Sequence, residues 1–225
     1  MRSFDLSLYL VLDPGLCAGI GMVETARAAV AGGATMVQLR DKTGGTARTV
    51  EIGRALKDAL AGTGARLIVN DDVAAAVAIG ADGVHVGQGD MAVAEARARI
   101  GPEAILGLSV ETPELAAAAD PALVDYIGAG PVFATPTKPD HEQAVGFDGL
   151  IAQIAASSIP AVAIGGLKVR HVAPVLAAGA RGIAVVSAIC GQPDPEAAAR
   201  DLAKEIEAVR SRRSENGSHR ASLDR

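Results

Sequence analysis

Two cations stand two residues apart in Gln38-Leu39-Arg40-Asp41-Lys42, a spacing that suits a diphosphate. An arginine offers a planar bidentate fork and a lysine a point charge, so the pair provides two ways of neutralising phosphoryl oxygens. The competing account is ordinary solvated surface charge, which contributes little. Further along, Asn70-Asp71-Asp72 and His85-Val86-Gly87-Gln88-Gly89-Asp90 bring carboxylates into two successive loops. One carboxylate from each suits a hard cation such as Mg2+, which keeps several waters and shares its shell with substrate phosphate. Asp71 or Asp72 could equally cap the helix that follows, and Asp90 before Met91 has the same option. Ser109 contributes a hydroxyl, and Thr135, Thr137 and Lys138 gather hydroxyl and ammonium donors within the irregular stretch 129–146. Loops of that length often act as functional lids. Gly165-Gly166 and Val186-Ser187 are small enough to leave backbone N–H groups open to a phosphate.

These side chains need elements to hold them, and the chain supplies a repeating pair. Short apolar runs at 6–12, 35–40, 66–70, 83–86, 104–109, 124–127, 161–164 and 182–186 read as strands. Alanine-rich segments of helical period lie between them, among them 23–31, 47–60, 91–100, 147–155 and 169–177. A last helix over 195–209 opens on a proline, where the missing N–H costs nothing. Gly33-Ala34, Gly64-Ala65, Gly80-Ala81 and Gly179-Ala180 each stop a helix just before the next strand. Eight such units with continuous apolar strands predict a parallel sheet covered by helices and closed into a (β/α)8 TIM barrel. In that fold the active site lies at the C-terminal ends of the strands, where all the residues singled out above fall. The period of two in the second strand aims Gln38, Arg40 and Lys42 at the mouth and turns Leu39 and Asp41 away.

Composition bounds the function. A chain of 225 residues with 49% hydrophobic residues suits one large domain, here 1–210, and the polar stretch 211–225 reads as a disordered tail. Aromatics are 2% with no tryptophan, so the core is expected to be built from Ala, Val, Ile and Leu. A net charge of −5 argues against a nucleic-acid partner. No apolar run is long enough to span a membrane and the N-terminus lacks a signal-peptide pattern. Cys17 and Cys190 have no zinc or redox spacing and read as free thiols of a cytoplasmic protein. The four histidines show no ligand pattern. A homo-oligomer is compatible with all of this.

Taken together, the ordered blocks VQLRDK (37–42), IVNDD (68–72), DGVHVGQGD (82–90), GLSVE (107–111), DYIGAGPVFATPTK (125–138), AIGGL (163–167) and GIAVVSAI (182–189) resemble the thiamine phosphate synthase family. The likeness spans residues 8–189, and its specificity lies in the whole ordered set. It implies a transferase that joins hydroxymethylpyrimidine diphosphate to hydroxyethylthiazole phosphate with release of pyrophosphate. It implies that Gln38, Leu39, Arg40, Asp41, Lys42, Asn70, Ser109 and Lys138 hold the pyrimidine diphosphate. Thr135, Pro136, Thr137, Gly166, Val186 and Ser187 would hold the thiazole phosphate, and Asp71 and Asp90 would bind Mg2+. Arg40, Lys42, Ser109 and Lys138 would carry the catalytic load. Three rivals stand beside it. A thiazole-phosphate tautomerase would place a histidine where this chain has Pro131. A non-catalytic phosphate-binding relative would have shed the carboxylates or the basic pair. A sugar-phosphate epimerase would explain the last two turns but not the earlier blocks.

Overall fold

Parallel pairing runs unbroken round the computed structural model, in which eight strands follow one another in chain order and close into a barrel. The structure describes residues 4–135 and 143–223, with side chains as far as Ser214. The strands are β1 (Leu8–Leu12), β2 (Met36–Leu39), β3 (Arg66–Asn70), β4 (Gly83–Val86), β5 (Ile105–Val110), β6 (Tyr126–Ala129), β7 (Ala161–Ala163) and β8 (Gly182–Val185). The helices are α1 (Met22–Ala31), α2 (Gly45–Leu60), α3 (Val73–Ile79), α4 (Val93–Ile100), α5 (Pro113–Ala118), α6 (Gly146–Ala155), α7 (Val172–Ala177) and α8 (Pro195–Leu223). Leu8 beside Ile183 and Leu10 beside Val185 join the first strand to the last. The (β/α)8 fold read from the sequence is therefore the fold of the chain.

Every strand is expected within two residues of where it forms. β6 starts late because the Val124 amide is already held by the Asp120 carbonyl in a turn. α7 starts late too: a 3-10 turn, Val169–His171, precedes it, and Pro174 then sits in its first turn, where a missing N–H is tolerated. At the end of α3, Gly80 takes the left-handed conformation (φ 65°) that terminates the helix and turns the chain back toward β4.

Two apolar layers follow from strand alternation. One set of side chains faces the helices, including Leu8, Leu10, Val37, Leu39, Val69, Val84, Leu106 and Ile183. The other set fills the barrel's interior: Tyr9, Met36, Ile68, Ile105, Tyr126, Val162 and Ala184. Both tyrosines of the chain lie in that inner layer, so the interior is not the purely aliphatic packing expected from composition.

The largest departure is at the C-terminus. The stretch from residue 211, expected as a disordered tail, continues α8 to Leu223. The segment contains no proline, and two arginines tie the helix to the barrel's underside. Arg210 Nη2 donates to the Arg181 carbonyl at 2.6 Å, and Arg213 Nη1 donates to the Leu176 carbonyl at 2.7 Å. Among the described residues no helix is long and apolar enough to cross a membrane. The arginine ties carry an expectation for thermal melting. Arg213→Ala should lower stability by about 1 kcal/mol, a few degrees of melting temperature, while a chain cut after Ser214 should melt with the full-length protein. A cut chain that melts several degrees lower would show that the last residues pack on the barrel.

Candidate active site

The C-terminal ends of the strands surround one open cavity, and most of the expected residues line it. Gln38, Arg40 and Lys42 enter from β2, Asn70 and Asp71 from β3, Asp90 from the β4 loop and Ser109 from β5. Thr135, Gly166, Val186 and Ser187 line it from the other side. Leu39 and Asp41, expected among the substrate-binding residues, do not line it. Leu39 packs in the layer under α2. Asp41 is folded into its own loop, accepting from the Thr43 and Gly44 amides at 2.9 and 3.0 Å and pairing with Arg48 at 3.4 Å. Burial pushes the Asp41 carboxyl up, but the Thr43 and Gly44 donors together with Arg48 bring it below the ordinary value. Pro136, Thr137 and Lys138 lie outside the described residues.

The three candidate carboxylates separate cleanly. Asp72 is the cap of α3, its side chain accepting from the Ala75 amide at 2.8 Å. Asp90 is not a helix cap, since α4 starts after Ala92; its Oδ2 accepts instead from the Gly87 amide at 2.8 Å. Asp71 is the one non-glycine residue with positive φ (62°) among the described residues. Its amide donates to the His85 carbonyl at 2.8 Å, which helps hold the backbone in that unfavourable well. Burial pushes the Asp71 carboxyl up to about 6, and the Asp90 carboxyl beside it pushes the same way, against the pull of Lys42 and Arg40. Lys42 Nζ stands 4.0 Å from Asp71 Oδ2. A partly buried Asp71 carboxyl and an exposed Asp90 carboxyl, side by side near a basic pair, form a donor set of hard oxygens, the kind that takes a divalent cation.

The opposite rim is neutral and tightly turned. Gly165 and Gly166 have φ of 107° and 62°, and a Cβ on Gly166 would lie 2.9 Å from Phe133 Cβ. The turn is fixed against the β6 loop by the Val132 and Phe133 amides, which donate to the Ile164 and Gly165 carbonyls. After β8, the Val186 carbonyl accepts from the Ile189 and Cys190 amides and forms one helical turn. That turn is separate from α8, which starts at Pro195. Lys168, which the sequence reading missed, lies just outside the cavity lining, its Nζ 3.5 Å from Ser187 Oγ. Its sequence signal was its place directly after Gly165-Gly166-Leu167. His85 and Tyr9, also missed, line the cavity floor, and a period of two along β4 and β1 would have found them.

A TIM barrel whose mouth sets cations and paired carboxylates opposite a small-residue turn is an enzyme architecture for phosphorylated small molecules. The thiamine monophosphate synthase family model matches residues 8–189, and the chain belongs to that family. It is 54% identical over 209 residues to a thiamine-phosphate synthase of Xanthobacter autotrophicus, covering 93% of this chain and 99% of that one. A thiamine-phosphate synthase of Methanoregula boonei is 46% identical, over 89% of this chain and 93% of its own. Among solved structures, a thiamine phosphate pyrophosphorylase from Pyrococcus furiosus superposes with a TM-score of 0.82 at 38% identity, over 91% of this chain and 96% of that one.

The separation of the carboxylates is directly testable. Asp72→Ala should lower stability by about 1 kcal/mol through the lost cap and leave turnover per folded molecule unchanged, as read by melting and by initial rate. A large loss of turnover at full folding would move Asp72 from the helix to the site.

Proposed function

We propose that the chain joins hydroxymethylpyrimidine diphosphate to hydroxyethylthiazole phosphate, giving thiamine phosphate and pyrophosphate. It is a transferase. The observation that carries this reading is the division of one cavity between two phosphate-seeking rims. Arg40, Lys42, Asp71 and Asp90 lie on the β2–β4 side, and Gly166, Val186 and Ser187 lie on the β7–β8 side. Two phosphorylated substrates held on opposite rims meet with their reactive ends between them. The free, buried thiols of Cys17 and Cys190 favour a reducing compartment, and we place the activity in the cytoplasm.

Bond changes define the roles. The bond between the pyrimidine methylene carbon and the diphosphate oxygen breaks, and its electron pair leaves with pyrophosphate. The lone pair of the thiazole nitrogen then forms the new carbon–nitrogen bond. That nitrogen carries no proton, so no general base is required. The amino group of the pyrimidine spreads the positive charge that develops on the methylene carbon. Arg40 and Lys42 stabilise the negative charge gathering on the departing pyrophosphate, joined by Ser109 and Lys138. Gln38 and Asn70 position the pyrimidine diphosphate; Thr135, Pro136, Thr137, Gly166, Val186 and Ser187 position the thiazole phosphate. Asp71 and Asp90 would hold Mg2+, which when bound neutralises part of the diphosphate charge. A tautomerase is disfavoured because Pro131 lines the cavity where that reading needs a histidine.

Purified protein given both substrates and Mg2+ should release pyrophosphate and form thiamine phosphate, with a chelator abolishing the reaction and added Mg2+ restoring it. Asp71→Asn and Asp90→Asn should each raise the Mg2+ requirement by about tenfold or more without loss of folding. Wild-type activity of either variant at low Mg2+ would remove that residue from the metal site. A pyrimidine bearing an electron-withdrawing group should react far more slowly, because it destabilises the developing cation. Equal or faster reaction would indicate direct displacement, and isomerisation of thiazole phosphate alone would indicate a tautomerase.

A further inference from the structure

A buried polar chain crosses the barrel's interior and links two cavity-lining side chains. Gln38 Nε2 donates to the Tyr9 hydroxyl at 2.8 Å, and the Tyr9 and Tyr126 hydroxyls are 2.8 Å apart. The Tyr126 hydroxyl lies 3.0 Å from His85 Nδ1, and His85 Nε2 lies 2.9 Å from Ser109 Oγ. The fold leaves room for these rings, since a Cβ on Gly107 would strike the Tyr126 hydroxyl and His85 Nδ1. Gly128 is similarly close, its Cβ position being 3.1 Å from His85 Cε1. Tyr9, Tyr126 and His85 are all buried.

Donor and acceptor capacities give the chain a direction. An amide nitrogen only donates, so the Tyr9 oxygen accepts from Gln38 and its own proton goes to the Tyr126 oxygen. The Tyr126 proton goes to His85 Nδ1, which therefore carries none. The neutral imidazole's proton then sits on Nε2 and is donated to Ser109 Oγ. Burial pushes both phenols well above their ordinary values, so each keeps the proton this order requires. Reversal would demand that Gln38 turn its oxygen to Tyr9 and that every member behind it flip as well. A single side chain cannot reverse alone without leaving a buried group unpaired.

We propose that this relay, from Gln38 through Tyr9, Tyr126 and His85 to Ser109, sets the hydrogen-bonding face shown to the pyrimidine ring and thereby selects an amino over an oxo substituent. The inference rests on the coupling reading above and names the basis of its ring specificity. With Nε2 committed to Tyr9, Gln38 presents Oε1, an acceptor, to the cavity. With Oγ already accepting from His85, Ser109 presents its O–H, a donor. An aminopyrimidine meets both, offering an N–H to Gln38 and a ring nitrogen lone pair to Ser109. The oxo analogue of the same shape offers a carbonyl oxygen and a ring N–H, the reverse on both sides. Tyr9, Tyr126 and His85 are positioning residues in this scheme: they act through Gln38 and Ser109.

Two measurements on the full-length protein in Mg2+ buffer test it. Nitrogen-15 NMR of labelled histidines, with His85 assigned by loss of its signal in His85→Asn, should show the proton on Nε2; Tyr126→Phe should disturb that tautomer. Calorimetry should show the wild type binding hydroxymethylpyrimidine diphosphate at least about a hundredfold more tightly than its oxo analogue. Tyr9→Phe and Tyr126→Phe should each cut that preference by about tenfold while the KM for thiazole phosphate stays unchanged. A wild-type proton on Nδ1, or a full ring preference in both variants, would overturn the proposal. If a variant does not fold, the wild-type tautomer and ring preference still decide. A wild type that shows both yet forms no product would defeat the coupling reading and leave the relay standing.

Discussion

The pairing of β1 with β8, Leu8 to Ile183 and Leu10 to Val185, closes the sheet, and the site depends on that closure. A closed ring has no edge strands, so each strand has two hydrogen-bonded neighbours and only two directions for its side chains. Alternate residues must point either at the helices or into a narrow interior. Closure also puts β3 across the ring from β7, which is why a carboxylate-bearing rim and a glycine-bearing rim face each other over one cavity. An open sheet with the same strands would spread those groups along a line.

The mouth concentrates charge that the interior could not carry. Arg40, Lys42, Asp71 and Asp90 stand at the level where water still reaches, and the floor beneath them, Tyr9, His85, Val162 and Ala184, carries no carboxylate, lysine or arginine. That gradient suits a substrate with a charged diphosphate at one end and a flat ring at the other. Asp71 shows the local cost, since its backbone is held at φ 62° beside a second carboxylate. Like-charge repulsion at a residue held in an uncommon backbone conformation marks Asp71 as a candidate functional position.

Much of this was legible in the residues themselves. Eight apolar runs punctuated by Gly-Ala stops define the barrel, because a helix needs a left-handed stop such as Gly80 before the chain can turn into the next strand. The period of two separated Gln38, Arg40 and Lys42 from Leu39 and Asp41, and the structure follows that separation even though a contiguous motif had placed all five at the substrate. What escaped was tertiary. Nothing local in Val84-His85-Val86 marks His85 as the partner of Tyr126, more than forty residues away; only the pairing of β4 and β6 with the two edges of β5 brings them to the two sides of Gly107. The continuation of α8 escaped for the same reason. A polar segment reads as disordered until Arg210 and Arg213 find carbonyls on distant elements.

The block DGVHVGQGD shows how closely scaffold and site share residues. At its start, Asp82 lies at the barrel's underside, where its carboxylate accepts from the Leu67 amide at 2.8 Å and from Arg66 Nη1 at 3.1 Å. At its end, Asp90 stands at the mouth beside Asp71. Between them β4 crosses the barrel, roughly 13 Å for four residues at the strand rise, with His85 turned inward on the way. Asp125 repeats the lower arrangement before β6, accepting from the Leu106 amide at 2.8 Å and Arg97 Nη2 at 2.6 Å. Two aspartates of one motif thus serve opposite ends of the fold. The lower one binds a strand amide and an arginine, so its role is in strand register; the upper one stands against the Asp71 carboxyl at the cavity mouth, where register needs nothing. Charge type alone does not separate the two roles. The end of the strand at which the residue falls does, because the backbone donors at the underside are already paired and the mouth is where a ligand can still enter.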